Sequence, residues 1–172
     1  MKLITLASGS KGNCTLLQTN KTKILIDAGI TLQEIEQKLK ILAVAPEQIY
    51  GICVTHEHSD HIKSVGAFAR KYGCFVFAEE REWQTLEKKI GRLDDVQKIS
   101  FRAGTFYIQD LTVCAFELSH DCNLCLGYSF YHMGNKISIA TDFGYATKTV
   151  LDNLKDSNIL ILESNHDENL LL

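Results

Sequence analysis

One proline in 172 residues is the first scarcity of this chain. It excludes a proline-rich linker or a low-complexity tail, because such segments avoid the apolar content that builds a packed core. Positive charge is short as well: 18 lysines and arginines face 21 aspartates and glutamates, a net charge of −3. That balance excludes a broad basic face for nucleic acid but leaves room for a local one. No apolar run approaches the roughly 20 residues that cross a bilayer. The apolar patch in residues 1–10 is too short for a signal-peptide core and reads as a strand, so the expected compartment is the cytoplasm.

Paired Cys-x-x-Cys motifs are lacking too. Of the six cysteines, Cys14, Cys53, Cys74 and Cys114 fall in apolar strand-like runs, where the thiol serves as a small buried hydrophobe. In a cytoplasmic chain these are expected reduced. Cys122 and Cys125 make one Cys-x-x-Cys pair, and a pair without a second one is weak support for structural zinc. They are expected to have no chemical role.

What is present is an ordinary globular composition, 45% apolar and 23% charged, at a length that suits one domain. Strands are expected at 2–7, 14–18 and 23–27. Thr31-Leu32-Gln33-Glu34 is a capping box that opens a helix to about Leu42, with Leu32, Ile35, Leu39 and Leu42 on one face. A buried strand at 50–55 runs into a histidine-rich segment, then a helix to about Tyr72, a strand at 74–78 and a helix at 80–90. From 96 to 140 strands follow one another: 96–100, 105–108, 111–118, 125–132 and 136–140. A helix at 147–156 and a strand at 158–163 close the pattern. Alternation followed by consecutive strands suggests two sheets with helices outside. Periodicity does not give the strand order.

The histidine-rich segment is His56-Glu57-His58-Ser59-Asp60-His61. Imidazole and carboxylate together suit zinc, iron or manganese. In an extended loop His56 and His58 share one side, and Asp60 and His61 swing to a second point as the chain turns helical. A solvated turn would also be rich in polar residues, and Asp60 alone would serve as a helix cap. That reading accounts for one residue and leaves three histidines to chance. His120 and Asp142 end later strands and join the list of ligands. Asp27 also ends a strand and suits an outer role, accepting a hydrogen bond from a ligand imidazole. His132 lies inside a strand beside a hairpin turn and is expected to be structural.

His56-x-His58-x-Asp60-His61, with Asp27 before it and His120 and Asp142 after it, resembles the metallo-β-lactamase superfamily over roughly residues 1–166. The opening Leu6-Ala7-Ser8-Gly9-Ser10-Lys11-Gly12-Asn13-Cys14 and the later Glu163-Ser164-Asn165-His166-Asp167 resemble its YycJ/WalJ-like branch, to which DNA exonuclease activity is attributed. The resemblance implies an α+β fold, an αββα sandwich of two mixed sheets with outer helices, with the site at one rim and residues 1–172 as one domain. It implies two divalent metal ions, zinc first and manganese or iron as alternatives. His56, His58 and His120 would hold the first, Asp60 and His61 the second, and Asp142 would bridge. A hydroxide between the metals would be the nucleophile, and Asp60 would move a proton to the leaving group. The loop 8–13 would lie near the site, where its hydroxyls and backbone donors would hold a phosphate. A plain strand connection is the alternative.

One departure stands out. The family's last ligand to the second metal is a histidine in a Gly-His-Leu-Ser-Asn-like motif, which this chain lacks. The chain looks like a truncated member, a fragment or a partner-completed domain, its second metal is expected to be weakly held, and His166 is the internal candidate for the vacant place. The implied activity is a dinuclear phosphodiesterase or nuclease, with nucleic acid as partner on the strength of the resemblance alone. The sequence offers only scattered lysines and no basic stripe interleaved with aromatics. The alternatives are a non-hydrolytic iron oxidoreductase on the same fold, or an incomplete metal-binding interaction domain. Fold does not choose among them.

Overall fold

A computed structural model describes residues 1–122 and 124–163. Its first sheet has the order β1 (Lys2–Ala7), β2 (Cys14–Gln18), β3 (Lys23–Ile26), β4 (Gly51–Cys53), β5 (Phe75–Glu79), β6 (Lys98–Phe101). The pairs among β1, β2 and β3 are antiparallel, and those from β3 to β6 are parallel. The second sheet contains β7 (Gly104–Ile108), β8 (Leu111–Leu118), β9 (Cys125–His132), β10 (Asn135–Ala140) and β11 (Ile159–Leu162), each beside the next. Here only β10 and β11 run parallel.

Period-two alternation explains why the sheets stack. Along the first sheet, Leu16, Leu25, Ile52 and Val76 point to one face, where they pack with Ile35 and Leu39 of α1 (Leu32–Ile41), Phe68 of α3 (Val65–Tyr72) and Leu86 of α4 (Trp83–Ile90). Their neighbours Leu17, Ile24, Ile26, Cys53 and Phe77 point the other way, onto Val113, Leu126, Tyr128 and Phe130 of the second sheet. The far face of that sheet packs Phe116 and Leu118 against Val150 of α5 (Lys148–Leu154). The four layers are the αββα sandwich expected. Among the described residues no helix is long and apolar enough to cross a membrane.

The expected elements are all present, and their boundaries move for local reasons. β3 stops before Asp27, which takes a left-handed φ of 59°. β4 is shorter than the run 50–55 because the Thr55 amide leaves the ladder and donates to Asp27 Oδ1. The helix expected after His61 is broken into α2 (Ser59–Ile62) and α3. Ser64 is the break: its N–H donates to Ala28 O and its hydroxyl to Ile30 O, so both tie back to the loop after β3. The capping box of α1 forms as expected. Cys114 is only partly buried, because its thiol reaches Asn153 of α5; Cys125, not Cys114, belongs with the buried cysteines. Among the described residues β11 is one end strand of the second sheet, and Ile159, Leu160 and Leu162 are each more than 40% exposed.

The two sheets are also stitched by polar contacts. The buried Tyr128 hydroxyl of β9 donates to Val54 O just past β4, and Leu126 N donates to Thr55 O. Removing the hydroxyl in Tyr128→Phe strands the Val54 carbonyl. Unfolding by urea should show a loss of about 1–3 kcal/mol. An unchanged midpoint would mean that water replaces the phenol there.

Candidate metal centre

The site lies where strands end. His56 to His61 follow β4, His120 follows β8, Asp142 follows β10, and Asp27 follows β3. Asp27 and Asp142 both have φ of 59°, a conformation that aspartate tolerates better than most residues and that turns the chain sharply. Backbone bonds lock the loops together. Asn13 N donates to Asp60 O, Gly29 N to Asn13 O, and Ala28 N to His61 O. The approach is so close that a Cβ on Gly29 would fall 1.5 Å from Asp60 O. On the other side, Gly144 N donates to Ser119 O and joins the loops that carry Asp142 and His120.

Two groups of ligand atoms result. His56, His58 and His120 form one, and His56, His61 and Asp142 the other, each with its ligand atoms within 4.8 Å of one another. In the first, His58 Nδ1 and His120 Nε2 stand 3.3 Å apart. Two nitrogens bound to zinc at about 2.0–2.1 Å in a tetrahedron would be separated by about 3.3 Å. In the second, His61 Nε2 is 3.2 Å from Asp142 Oδ2 and 3.6 Å from Asp60 Oδ2. His56 Nε2 is buried and has no hydrogen-bond partner among the described residues. A buried nitrogen left without a partner is costly, and a cation between the two groups would satisfy it. The donor set therefore fits metal ions.

The tautomers follow from the surroundings. Asp27 Oδ2 lies 2.8 Å from His61 Nδ1 and accepts from the Thr55 hydroxyl at 2.8 Å. That hydroxyl, its proton spent on Asp27, lies 3.0 Å from His56 Nδ1 and accepts from it. Both rings thus carry a proton on Nδ1 and turn Nε2 inward, the outer-shell arrangement that orients ligand imidazoles. Asp27 has the contact expected of it, and Thr55 adds a link that the sequence did not single out.

Three further residues enter only with the structure. Asn13 Nδ2 lies 3.0 Å from His61 Nε2, with its Oδ1 held by Gly9 N at 3.1 Å. The loop 8–13 thus reaches the site through one carboxamide. Glu163 accepts a hydrogen bond from the Asp142 amide and holds that turn. Cys125 Sγ sits 3.9 Å behind His56 Nδ1, its thiol pushed up by burial. His132 bonds through Nδ1 to Asp110 O at 3.1 Å, away from the site. Asp121, exposed, places Oδ1 3.1 Å from His120 Nε2. His166 lies outside the described residues.

The charges divide unequally. Burial, and then the neighbouring His61, push His56 down to about 3. Burial also works against a charge on His61, but Asp27 and Asp142 outweigh it and lift its pKa to about 10. For Asp142 burial works upward, yet its contact with His61 prevails and holds the carboxyl at about 2. Without metal, a proton on His61 stands where a cation would.

A pH dependence follows. His61 must lose its second ring proton to take a metal, whereas His56 is already neutral at neutral pH, with Nε2 free. Because the His61 pKa is raised, the proton competes at every pH below about 10. Affinity at the His61–Asp142 position should climb about tenfold per unit between pH 6 and 8, read by competition with a chromogenic chelator. A flat profile would contradict this. Asp27→Asn removes the carboxylate that orients His61 and should cost ~10–100-fold in affinity at the same position.

Comparison with known proteins agrees with the geometry. The sequence profile of the metallo-beta-lactamase superfamily matches residues 7–165. An exodeoxyribonuclease YycJ from Bacillus anthracis is 39% identical over 169 residues, which is 96% of this chain and 63% of that protein. An exodeoxyribonuclease WalJ from Streptococcus pneumoniae is 38% identical with the same coverage. The chain thus spans less than two thirds of the length of these relatives. Among solved structures, the short form of human tRNase Z superposes with a TM-score of 0.76 at 18% identity, covering 98% of this chain and 80% of that one. Zinc-bound PqqB from Methylobacterium extorquens gives 0.76 at 11% identity, covering 92% and 62%. By profile, by relatives and by fold, the chain belongs to the metallo-beta-lactamase superfamily.

Proposed function

We propose that this chain carries the metal centre of a hydrolase that cleaves phosphodiester bonds in nucleic acid. The observation that carries the reading is the buried His56, whose Nε2 has no hydrogen-bond partner among the described residues and whose ring belongs to both groups of ligand atoms. His56, His58 and His120 would hold one divalent ion. His61 and Asp60 would hold a second, with Asp142 between the two. Three imidazoles favour zinc, and the mixed nitrogen and oxygen set also accepts manganese or iron. When bound, such a pair lowers the pKa of water and neutralises charge on a phosphoryl group.

The remaining roles belong to the chain. Asp27 and Thr55 keep both Nε2 atoms pointing inward. The Asn13 carboxamide donates one N–H to Gly9 O and turns the other to His61 Nε2; with that nitrogen on a metal, the second N–H would be free for a phosphoryl oxygen. Asp60 has about a third of its side chain exposed, at 32%, so it can reach both His61 and a ligand in solvent. It is suited to hand a proton to the leaving oxygen. The choice of nucleic acid rests on the exodeoxyribonuclease relatives at 38–39% identity.

Elemental analysis coupled to hydrolysis of bis(p-nitrophenyl) phosphate on the same sample tests the reading. Wild-type chain should bind zinc or manganese and turn the diester over, with the three-histidine position filling first. Asp142→Asn should lose turnover by more than the ~10–100-fold typical of disturbed outer partners, together with the second metal equivalent. Unchanged stoichiometry and rate in Asp142→Asn would remove Asp142 from the site. A metal-loaded chain inert toward both the diester and DNA, or one holding iron alone, would overturn the hydrolase reading.

A further inference from the structure

Lys63 and Lys89 look unrelated in the sequence. Lys63 follows α2 directly, and Lys89 lies near the end of α4. The fold brings both to one cleft of about 550 Å³, lined also by His58, Ser59, Asp60 and Ile62. One wall of the cleft is therefore the candidate metal centre, through His58 and Asp60, and another is cationic. The volume falls within the range of small-ligand clefts.

Four other cations of the chain are spent on carboxylates. Lys71 pairs with Glu36, Arg81 with Glu79 and Glu117, Lys98 with Glu87 and Asp95, and Arg102 with Glu80. Lys63 and Lys89 belong to the larger set without an ion pair among the described residues, and they are the two cations that line this cleft. Lys89 is instead fixed by a backbone carbonyl: its ammonium donates to Glu57 O at 3.0 Å, between the ligands His56 and His58. That bond uses one of three N–H groups and leaves two at the lining of the cleft. Glu82 lies beneath, and burial, followed by Glu57, pushes it up to about 7. Near neutral pH it only partly offsets Lys89. A chain with net charge −3 and carboxylates at its metal centre otherwise repels an anionic polymer.

We propose that Lys63 and Lys89 are positioning residues that seat the backbone phosphates of a nucleic-acid strand next to the bond held at the metal centre. The inference rests on the hydrolase reading for its purpose but not for its test. A lysine ammonium binds phosphate as a compact point charge without reading sequence, which suits an enzyme that must track a strand through many bases.

The test uses the whole chain and a fluorescein-labelled oligo-dT strand, with anisotropy measured in EDTA so that no cleavage occurs. Wild type should bind with an affinity that falls as salt rises. Lys63→Ala combined with Lys89→Ala should weaken binding about tenfold or more at 50 mM salt. It should also flatten the slope of log affinity against log salt by roughly 1.4, about 0.7 for each lost contact to a single strand. Lys63→Arg with Lys89→Arg should restore both, which a loss of packing would not allow. In metal-loaded samples the double alanine variant should lose about tenfold more kcat/KM on the strand than on bis(p-nitrophenyl) phosphate, and mostly through KM, because the small diester has no flanking phosphate. An unchanged affinity and slope, or no binding by wild type at low salt, would overturn the proposal. Failure to hydrolyse either substrate would instead overturn the hydrolase reading and leave the anisotropy result to decide on the lysines.

Discussion

One buried carboxylate governs this structure. Asp27 leaves β3 in a left-handed turn and takes three donors from one short stretch: the Thr55 amide, the Thr55 hydroxyl and His61 Nδ1. Each of those bonds would be replaced by water in an unfolded chain, so their net worth is modest. Their effect on geometry is larger. They end β4, set the ring of His61, and through the Thr55 hydroxyl set the ring of His56. The loop carrying Asn13 is then clamped between the two segments, with no room for a side chain at Gly29. The position of nearly every ligand on the first sheet follows from where this carboxylate sits.

The second sheet supplies the rest with less reinforcement. His120 and Asp142 come from loops joined to each other by one backbone bond, between Gly144 and Ser119. Asp142 is additionally held by Glu163, just past β11. The cluster would be hard to justify as a purely structural one. It buries imidazoles against one another and leaves His56 Nε2 without a partner among the described residues, costs that a well-packed apolar core avoids.

Much of this was legible in the sequence, for identifiable reasons. Strand alternation and the capping box at Thr31 depend on local chemistry, and the elements they predict are present. The segment from His56 to His61 announces itself because four candidate ligands fall within six residues. What stayed hidden depends on tertiary approach. Ser64 breaks a helix only because Ala28 and Ile30 offer carbonyls to it. Asn13 and Thr55 are common loop and strand-end residues until the fold sets them beside imidazoles. Lys63 and Lys89 read as scattered charges until α2 and α4 pack on the same side. The strand order, which periodicity does not encode, is what converts those separate residues into a site.

The shared ring of His56 has a thermodynamic corollary. One side chain belongs to both groups of ligand atoms, and its outer partner Thr55 leans on the same carboxylate as His61. Whatever fixes that ring for one occupant fixes it for the other. Were both groups to take a cation, occupancy of one position would change the free energy of filling its neighbour, and by reciprocity the second would change the first by the same factor. Its sign depends on two opposed contributions, ordering of common side chains and repulsion between like charges held close together. Because only the folded chain gathers loops from both sheets, each ion bound also weights the balance between folded and unfolded chains by mass action. Cation concentration, rather than sequence alone, then becomes a variable of this protein's stability.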